Sequence, residues 1–200
     1  MQARIKVWDG FVRLFHWLTV ALFTALWLTG EGREVAVHSL MGYALATLIV
    51  LRIIWGFAGS EHARFNNFVR TPGETLAYLR DILANRPAHY LGHNPAGAAM
   101  VVALLLCLTG IIATGIVLLG SMEFEGPLTV LGFLLSDEQV HLIREGHAIL
   151  VNLTLALVAL HVLGVISASI QHKENLVAAM IHGYKNSDQH SVGGKPDASS

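Results

Sequence analysis

The chain has 200 residues, of which 54% are hydrophobic and only 14% charged, with a formal net charge of −1 and a mean hydropathy of +0.55. A soluble domain of this size carries about a quarter charged residues, so the composition argues against a soluble globular protein and for one that crosses a membrane several times. The single cysteine, Cys107, excludes an internal disulfide, CxxC redox chemistry, covalent c-type haem attachment and an iron–sulfur cluster held only by cysteines; a small buried apolar side chain is the simpler reading of it.

Four apolar runs reach roughly twenty residues, the length that crosses about 30 Å of hydrocarbon as a helix. They cover 11–30, 37–58, 96–120 and 146–170. The expected fold is all-α, a polytopic membrane four-helix bundle filling residues 1–185. The first run is too long for a signal-peptide core and no small-x-small cleavage site follows it, so it is read as a retained span. Between the second and third runs, Thr71-Pro72-Gly73-Glu74 has the form of a capping box with proline at the first helical position. Leu76, Leu79, Ile82 and Leu83 follow at helical spacing. This predicts a short amphipathic helix on the membrane surface, ending near Asn85-Arg86-Pro87. After the third run, Gly126-Pro127 opens a stretch over 128–135 that is too short to cross. Ser136-Asp137-Glu138-Gln139 then forms a second capping box leading into the fourth span. From Lys185 the chain turns polar, and 186–200 is expected to be a disordered tail.

Four spans put both termini on one side. Arg4, Lys6, Arg13, Arg52, Arg64, Arg70, Arg80, Arg86, Lys173, Lys185 and Lys195 all fall there, 11 of the 13 basic residues. Only Arg33 and Arg144 fall on the other. The excess of basic residues places both termini in the cytoplasm. The opposite, outer face is acidic, with Glu31, Glu34, Glu123, Glu125, Asp137, Glu138 and Glu145.

Of the eleven histidines, His62, His89, His93, His141, His172, His182 and His190 fall in loops or at interfaces and are read as solvated. His16, His38, His147 and His161 lie in spans, where an ionisable side chain is costly and usually functional. His147 and His161 are fourteen residues apart, almost four turns, so they leave one helix face about 21 Å apart. Chain direction brings His16 to the level of His161, near the inner side. It brings His38 to the level of His147, near the outer side. Two histidine pairs result, inside a bundle of the kind that builds cofactor sites from facing helices. Haem iron takes two axial ligands on opposite sides of a flat ring, and histidine is a common one. Zinc would need three or four ligands at one point. The expectation is therefore two non-covalent haem b groups with both axial positions filled, which confines the chemistry to one-electron transfer.

Arg13 and Arg144 each precede one of these histidines by three residues and so neighbour it on a helix. With Arg33 and Arg52 they are expected partners for haem propionates, although Arg13 also suits a plain membrane anchor and Arg52 could snorkel to the interface. Gly42, Gly110, Gly115 and Gly164 would let helices or a macrocycle approach closely, and plain helix packing is the simpler reading.

These residues resemble the bacterial cytochrome b561 family, which includes the b-type cytochrome subunit of nickel–iron hydrogenases. The resemblance rests on Val7-Trp8-Asp9 with Arg13-Leu14-Phe15-His16-Trp17, on His38 with Gly42, and on Arg52-Ile53-Ile54-Trp55-Gly56. Asn94-Pro95-Ala96-Gly97, the His147/His161 spacing with Val162-Leu163-Gly164, and the segment from His172 to Gly183 complete it. It spans roughly residues 5–185. It implies a four-helix di-haem cytochrome in which His16 and His161 hold the inner iron and His38 and His147 the outer one. It also implies electron transfer between the quinone pool and a periplasmic partner, whether a hydrogenase, a dehydrogenase or a c-type cytochrome. In the related formate dehydrogenase membrane subunit an Asn-x-Gly element lies by the quinone. Asn94 stands in a similar place here with one residue more, and its role as an N-cap needs no quinone. His172 is a second quinone candidate.

The leading expectation is thus an electron-transfer subunit more than a stand-alone enzyme, with membrane, quinone and a periplasmic redox protein as partners. A homodimer is open to it and a nucleic-acid partner is not expected. The rivals are a self-contained quinone oxidoreductase using a small redox molecule such as superoxide at the outer haem, a transporter or proton channel with histidine relays, and a passive membrane anchor.

Overall fold

The computed structural model describes residues 4–30, 34–84, 86, 88, 90 and 92–186. A short strand β1 (Arg4–Lys6) leads into α1 (Gly10–Thr29) and α2 (Val35–Ala58). A surface segment with α3 (Phe65–Phe68) and α4 (Pro72–Leu83) follows, then α5 (Pro95–Met122), α6 (Leu131–Leu134), α7 (Asp137–Gln171), α8 (Leu176–His182) and β2 (Tyr184–Asn186). Four of these helices, α1, α2, α5 and α7, are long and apolar enough to cross a membrane. The expected all-α bundle is therefore the observed one. Its large aliphatic side chains point outwards: Leu28, Leu51, Ile54, Leu106, Ile149, Leu163 and Ile170 are all exposed. In water that surface would drive aggregation; in lipid it is the solvated face.

Helices α1, α4, α5, α7 and α8 begin where the sequence supplies a side-chain cap. Asp9 starts α1 by accepting the Val12 N–H at 2.8 Å. Its other oxygen accepts from Trp55 Nε1 at 3.0 Å and from the Ser60 hydroxyl. One carboxylate therefore opens α1 and ties it to the end of α2. Burial alone would raise the Asp9 pKa, but these hydrogen bonds outweigh it and hold the group below its ordinary 3.8. Both expected capping boxes form, Thr71 with Glu74 and Ser136 with Gln139. Asn94 caps α5, accepting the Gly97 N–H at 2.7 Å. The Ser136 box starts α7 well before the apolar run, so this helix is 35 residues long, or about 52 Å. Its polar first turns stand beyond the hydrocarbon.

Close packing joins α5 to α7, α1 to α2 and α2 to α5. Leu26, Leu45, Ile49 and Leu108 form the core of the α1–α2–α5 side. A second cluster of Val7, Trp8, Val12, Ala63 and Ala179 gathers the first residues, the α2–α3 loop and α8 at one end. There β1 pairs antiparallel with β2 in the register Arg4↔Asn186, Ile5↔Lys185, Lys6↔Tyr184. Both ends of the described chain thus lie on one side of the bundle, labelled inner below. The turn before β2 requires Gly183: its φ is +91°, and a Cβ there would meet the Trp8 carbonyl at 2.6 Å.

This pairing corrects the reading of the polar C-terminal residues. Lys185 is buried and ion-paired with Glu174 at 3.2 Å, and Asn186 is in a strand rather than a tail. The rest of the expected tail, 187–200, lies outside the described residues.

Candidate functional site

The bundle brings the four span histidines together in two pairs. At the inner level the rings of His16 on α1 and His161 on α7 face each other with centroids 6.4 Å apart. An ion bound by two imidazole nitrogens at ordinary metal–nitrogen lengths of about 2 Å would set ring centres roughly 6 Å apart. Trp17 packs edge-on against His16 at 4.9 Å. The His16 Nδ1 is sealed from solvent with no hydrogen-bond partner.

At the outer level His38 on α2 and His147 on α7 are near enough for the charge of one to act on the other. Here each Nδ1 has a threonine: Thr29 Oγ1 lies 3.3 Å from His38 Nδ1, and Thr114 Oγ1 lies 2.8 Å from His147 Nδ1. Each hydroxyl is also within hydrogen-bond reach of its own helix, Thr29 donating to the Ala25 and Leu26 carbonyls and Thr114 to those of Gly110 and Ile111. With its one hydrogen placed there, a lone pair is left facing the ring, an arrangement that suits an imidazole donating through Nδ1–H with its Nε2 lone pair free. A second hydrogen bond that fixes the tautomer in this way is the usual accompaniment of a metal-binding histidine.

Among the described residues no group of three or more histidines, cysteines or carboxylates could hold a metal ion. Each level offers two nitrogens, a donor set suited to a metal whose remaining positions a macrocycle fills. The glycines agree. Gly110 and Gly115 are helix-packing positions, since an added Cβ would touch Leu150 at 3.0 Å and His147 at 3.4 Å. Gly42 and Gly164, one turn from His38 and His161 on the same helix faces, have nothing within 4 Å. Plain helix packing therefore accounts for the first two glycines and not for the second two.

The arginines divide. Arg13 donates to the Ile181 carbonyl, tying α1 to α8, while its Nε is buried without a partner. Arg52 does not snorkel: it is 3% exposed. Arg144 is exposed near the outer end of α7, and Arg33 lies outside the described residues. Asn94 uses its side-chain oxygen as a cap, and His172 sits at the C-terminal cap of α7. His93, read from the sequence as a solvated loop residue, is not one. Its ring packs at a tilt between Trp8 and Phe68, with centroids 4.7 and 4.6 Å away, and its Nδ1 is buried with no partner. Burial, with Arg52 and Lys185 adding to it, pushes its pKa down to about 3, so the imidazole is neutral. The loop position of His93 gives no periodicity from which this burial could be read.

The family model of prokaryotic cytochrome b561 matches residues 7–183. The chain belongs to the prokaryotic cytochrome b561 family. It is accordingly a membrane b-type cytochrome, with haem b as its prosthetic group and electron transfer as its work. Similar proteins include the probable Ni/Fe-hydrogenase B-type cytochrome subunit of Cupriavidus necator, 27% identical over 90% of this chain and 86% of that one. The protein of the same name from Rhodobacter capsulatus is 25% identical over 92% and 82%. The probable Ni/Fe-hydrogenase 1 B-type cytochrome subunit of Escherichia coli K12 is 23% identical over 90% of each chain. No solved structure matches the cytochrome.

Proposed function

We propose that this cytochrome holds two haem b groups, one between His16 and His161 and one between His38 and His147. It moves electrons between the quinone pool at its inner side and a redox protein at its outer side. The observation that carries the reading is the pairing itself: four span histidines fall into two levels, one with ring centres 6.4 Å apart and the other with both Nδ1 atoms committed to threonines. Haem b, when bound, would supply reversible one-electron chemistry, and His16, His161, His38 and His147 are the residues that would hold it. The chain's own part is to hold the imidazoles facing, fix their tautomers, and keep the two levels about 21 Å apart by the fourteen-residue step of α7.

The relatives named above are hydrogenase cytochrome subunits, so a hydrogenase at the outer face is the partner this reading favours. The acidic outer loops would equally suit a basic c-type cytochrome. The basic residues on the inner side support cytoplasmic termini and an inner-membrane location. Arg13, Arg33, Arg52 and Arg144 are assigned to propionates, and Asn94 and His172 to the approach of quinone.

The test is a reduced-minus-oxidised spectrum of the purified protein with haem quantification. Two b haems per chain are expected. One haem, or none, would sink the reading. Activity with quinol and no added partner would favour the self-contained oxidoreductase.

A further inference from the structure

Arg52 is 3% exposed and only partly accompanied. Its Nη2 donates to the Ala63 carbonyl at 3.3 Å, and the guanidinium lies over the Phe65 ring at 5.0 Å. That ring can come so close because residue 56 is glycine: a Cβ there would sit 2.0 Å from it. The remaining terminal nitrogen, Nη1, is buried with no partner. The charge of Asp9 acts on Arg52, but its carboxylate already serves Val12, Trp55 and Ser60. Among the described residues Arg52 forms no ion pair. A buried cation without an anion is strongly unfavourable, so a site of this kind calls for a negative ligand.

His93, a half-buried residue, also has a nitrogen sealed from solvent without a partner, its Nδ1. Two lines of contact join it to Arg52. Phe65, under the guanidinium, packs on Phe68, which packs at a tilt on His93. Ala63, which accepts from Arg52, shares a cluster with Trp8, the other ring against His93. The height of the pair is also defined. Arg52 follows His38 by fourteen residues on an unbroken α2, the same step that separates His161 from His147. It therefore lies on the His38 face of its helix, at the level of His161.

We infer that Arg52 and His93 together receive one propionate of a haem at the inner level, the guanidinium as counter-ion and the imidazole as a second N–H donor. This rests on the inner histidine pair binding haem, as proposed above. The propionate is the anion the geometry favours because a haem between His16 and His161 brings carboxylates to this depth.

The test is redox titration and redox-difference infrared spectroscopy on the purified holoprotein, comparing wild type with Arg52→Gln, Arg52→Lys and His93→Phe. Removing the counter-ion leaves a carboxylate uncompensated and favours ferric iron. Arg52→Gln should therefore lower the inner midpoint potential and shift a propionate carboxylate band. His93→Phe should move the same band with a smaller potential change, and Arg52→Lys should stay near wild type. The outer haem should keep its potential throughout, which reports that the fold is intact. If Arg52→Gln loses both haems, His93→Phe and Arg52→Lys decide by the same criteria. Unmoved inner potential and bands would overturn the inference, as would a wild-type potential that follows added chloride or phosphate (a free anion). An effect confined to the KM for quinol would overturn it too. If His161→Ala kept both haems, the parent reading would fail instead.

Discussion

The two histidine levels present the same residue type and are held in different ways. At the outer level the imidazoles are oriented by hydroxyls, Thr29 on His38 and Thr114 on His147, and each hydroxyl is anchored to the backbone of its own helix. At the inner level His16 has no partner for its Nδ1 and is positioned by Trp17 and by the ring opposite. Around that level stand parts from distant places in the chain: Trp8, Ala63, Phe68, His93 and α8. The outer pair is thus built by neighbouring spans alone, whereas the inner pair depends on a cap assembled from loops and both chain ends. Perturbing a helix contact should reach the outer site, and perturbing the cap should reach the inner one.

The largest effect is expected from the histidines proposed as ligands. His147→Ala should remove one haem of two and leave the inner spectrum intact, and His161→Ala should do the reverse. Haem quantification with spectra checks both, and joint loss in either variant would break the separation of levels. Next is Thr114→Val, which removes the hydroxyl beside His147 Nδ1 without touching the imidazole proposed as ligand. Loss of such a supporting hydrogen bond weakens metal binding by about 10- to 100-fold. Retention of the outer haem under a competing apo-haem-protein should fall accordingly, while the inner haem holds. Thr29→Val, at the longer contact, should do the same to a smaller degree.

The smallest effect concerns the cap. The Asp9 pKa is lower folded than unfolded, so its contribution is complete above about 3.8 and is lost as pH falls through the lowered native value. Thermal unfolding in detergent should show an acid limb there, felt first at the inner haem. Asp9→Asn, which keeps a capping side chain without the charge, should flatten that limb. An unchanged acid limb would show that Asp9 does not link the cap to the inner level.

Much of this was legible in the sequence, for identifiable reasons. The spans announce themselves by length and apolarity, and Thr71, Asn94 and Ser136 mark helix starts because a cap is a local chemical requirement. The histidine pairs could be read because a helix turns sequence separation into depth. The β1–β2 pairing could not: two three-residue strands at opposite ends of the chain carry too little pattern to find each other. Arg52 was ambiguous for a related reason, since an arginine near a span end either reaches for water or turns inward. Only the Phe65 ring and the Ala63 carbonyl decide it. The sealed Nδ1 of His93 belongs to the same class, made by contacts among residues far apart in sequence.

The pairing of Arg4 with Asn186 imposes an order in time. The first strand has no partner until residue 186 has left the ribosome, by which point all four spans have been synthesised. Trp8, which packs on His93 and hydrogen-bonds to Gly183, is likewise without its final neighbours until then. The inner end of the bundle is therefore closed last, and a prosthetic group entering from that end has the whole period of synthesis in which to arrive before the two ends of the chain are drawn together behind it.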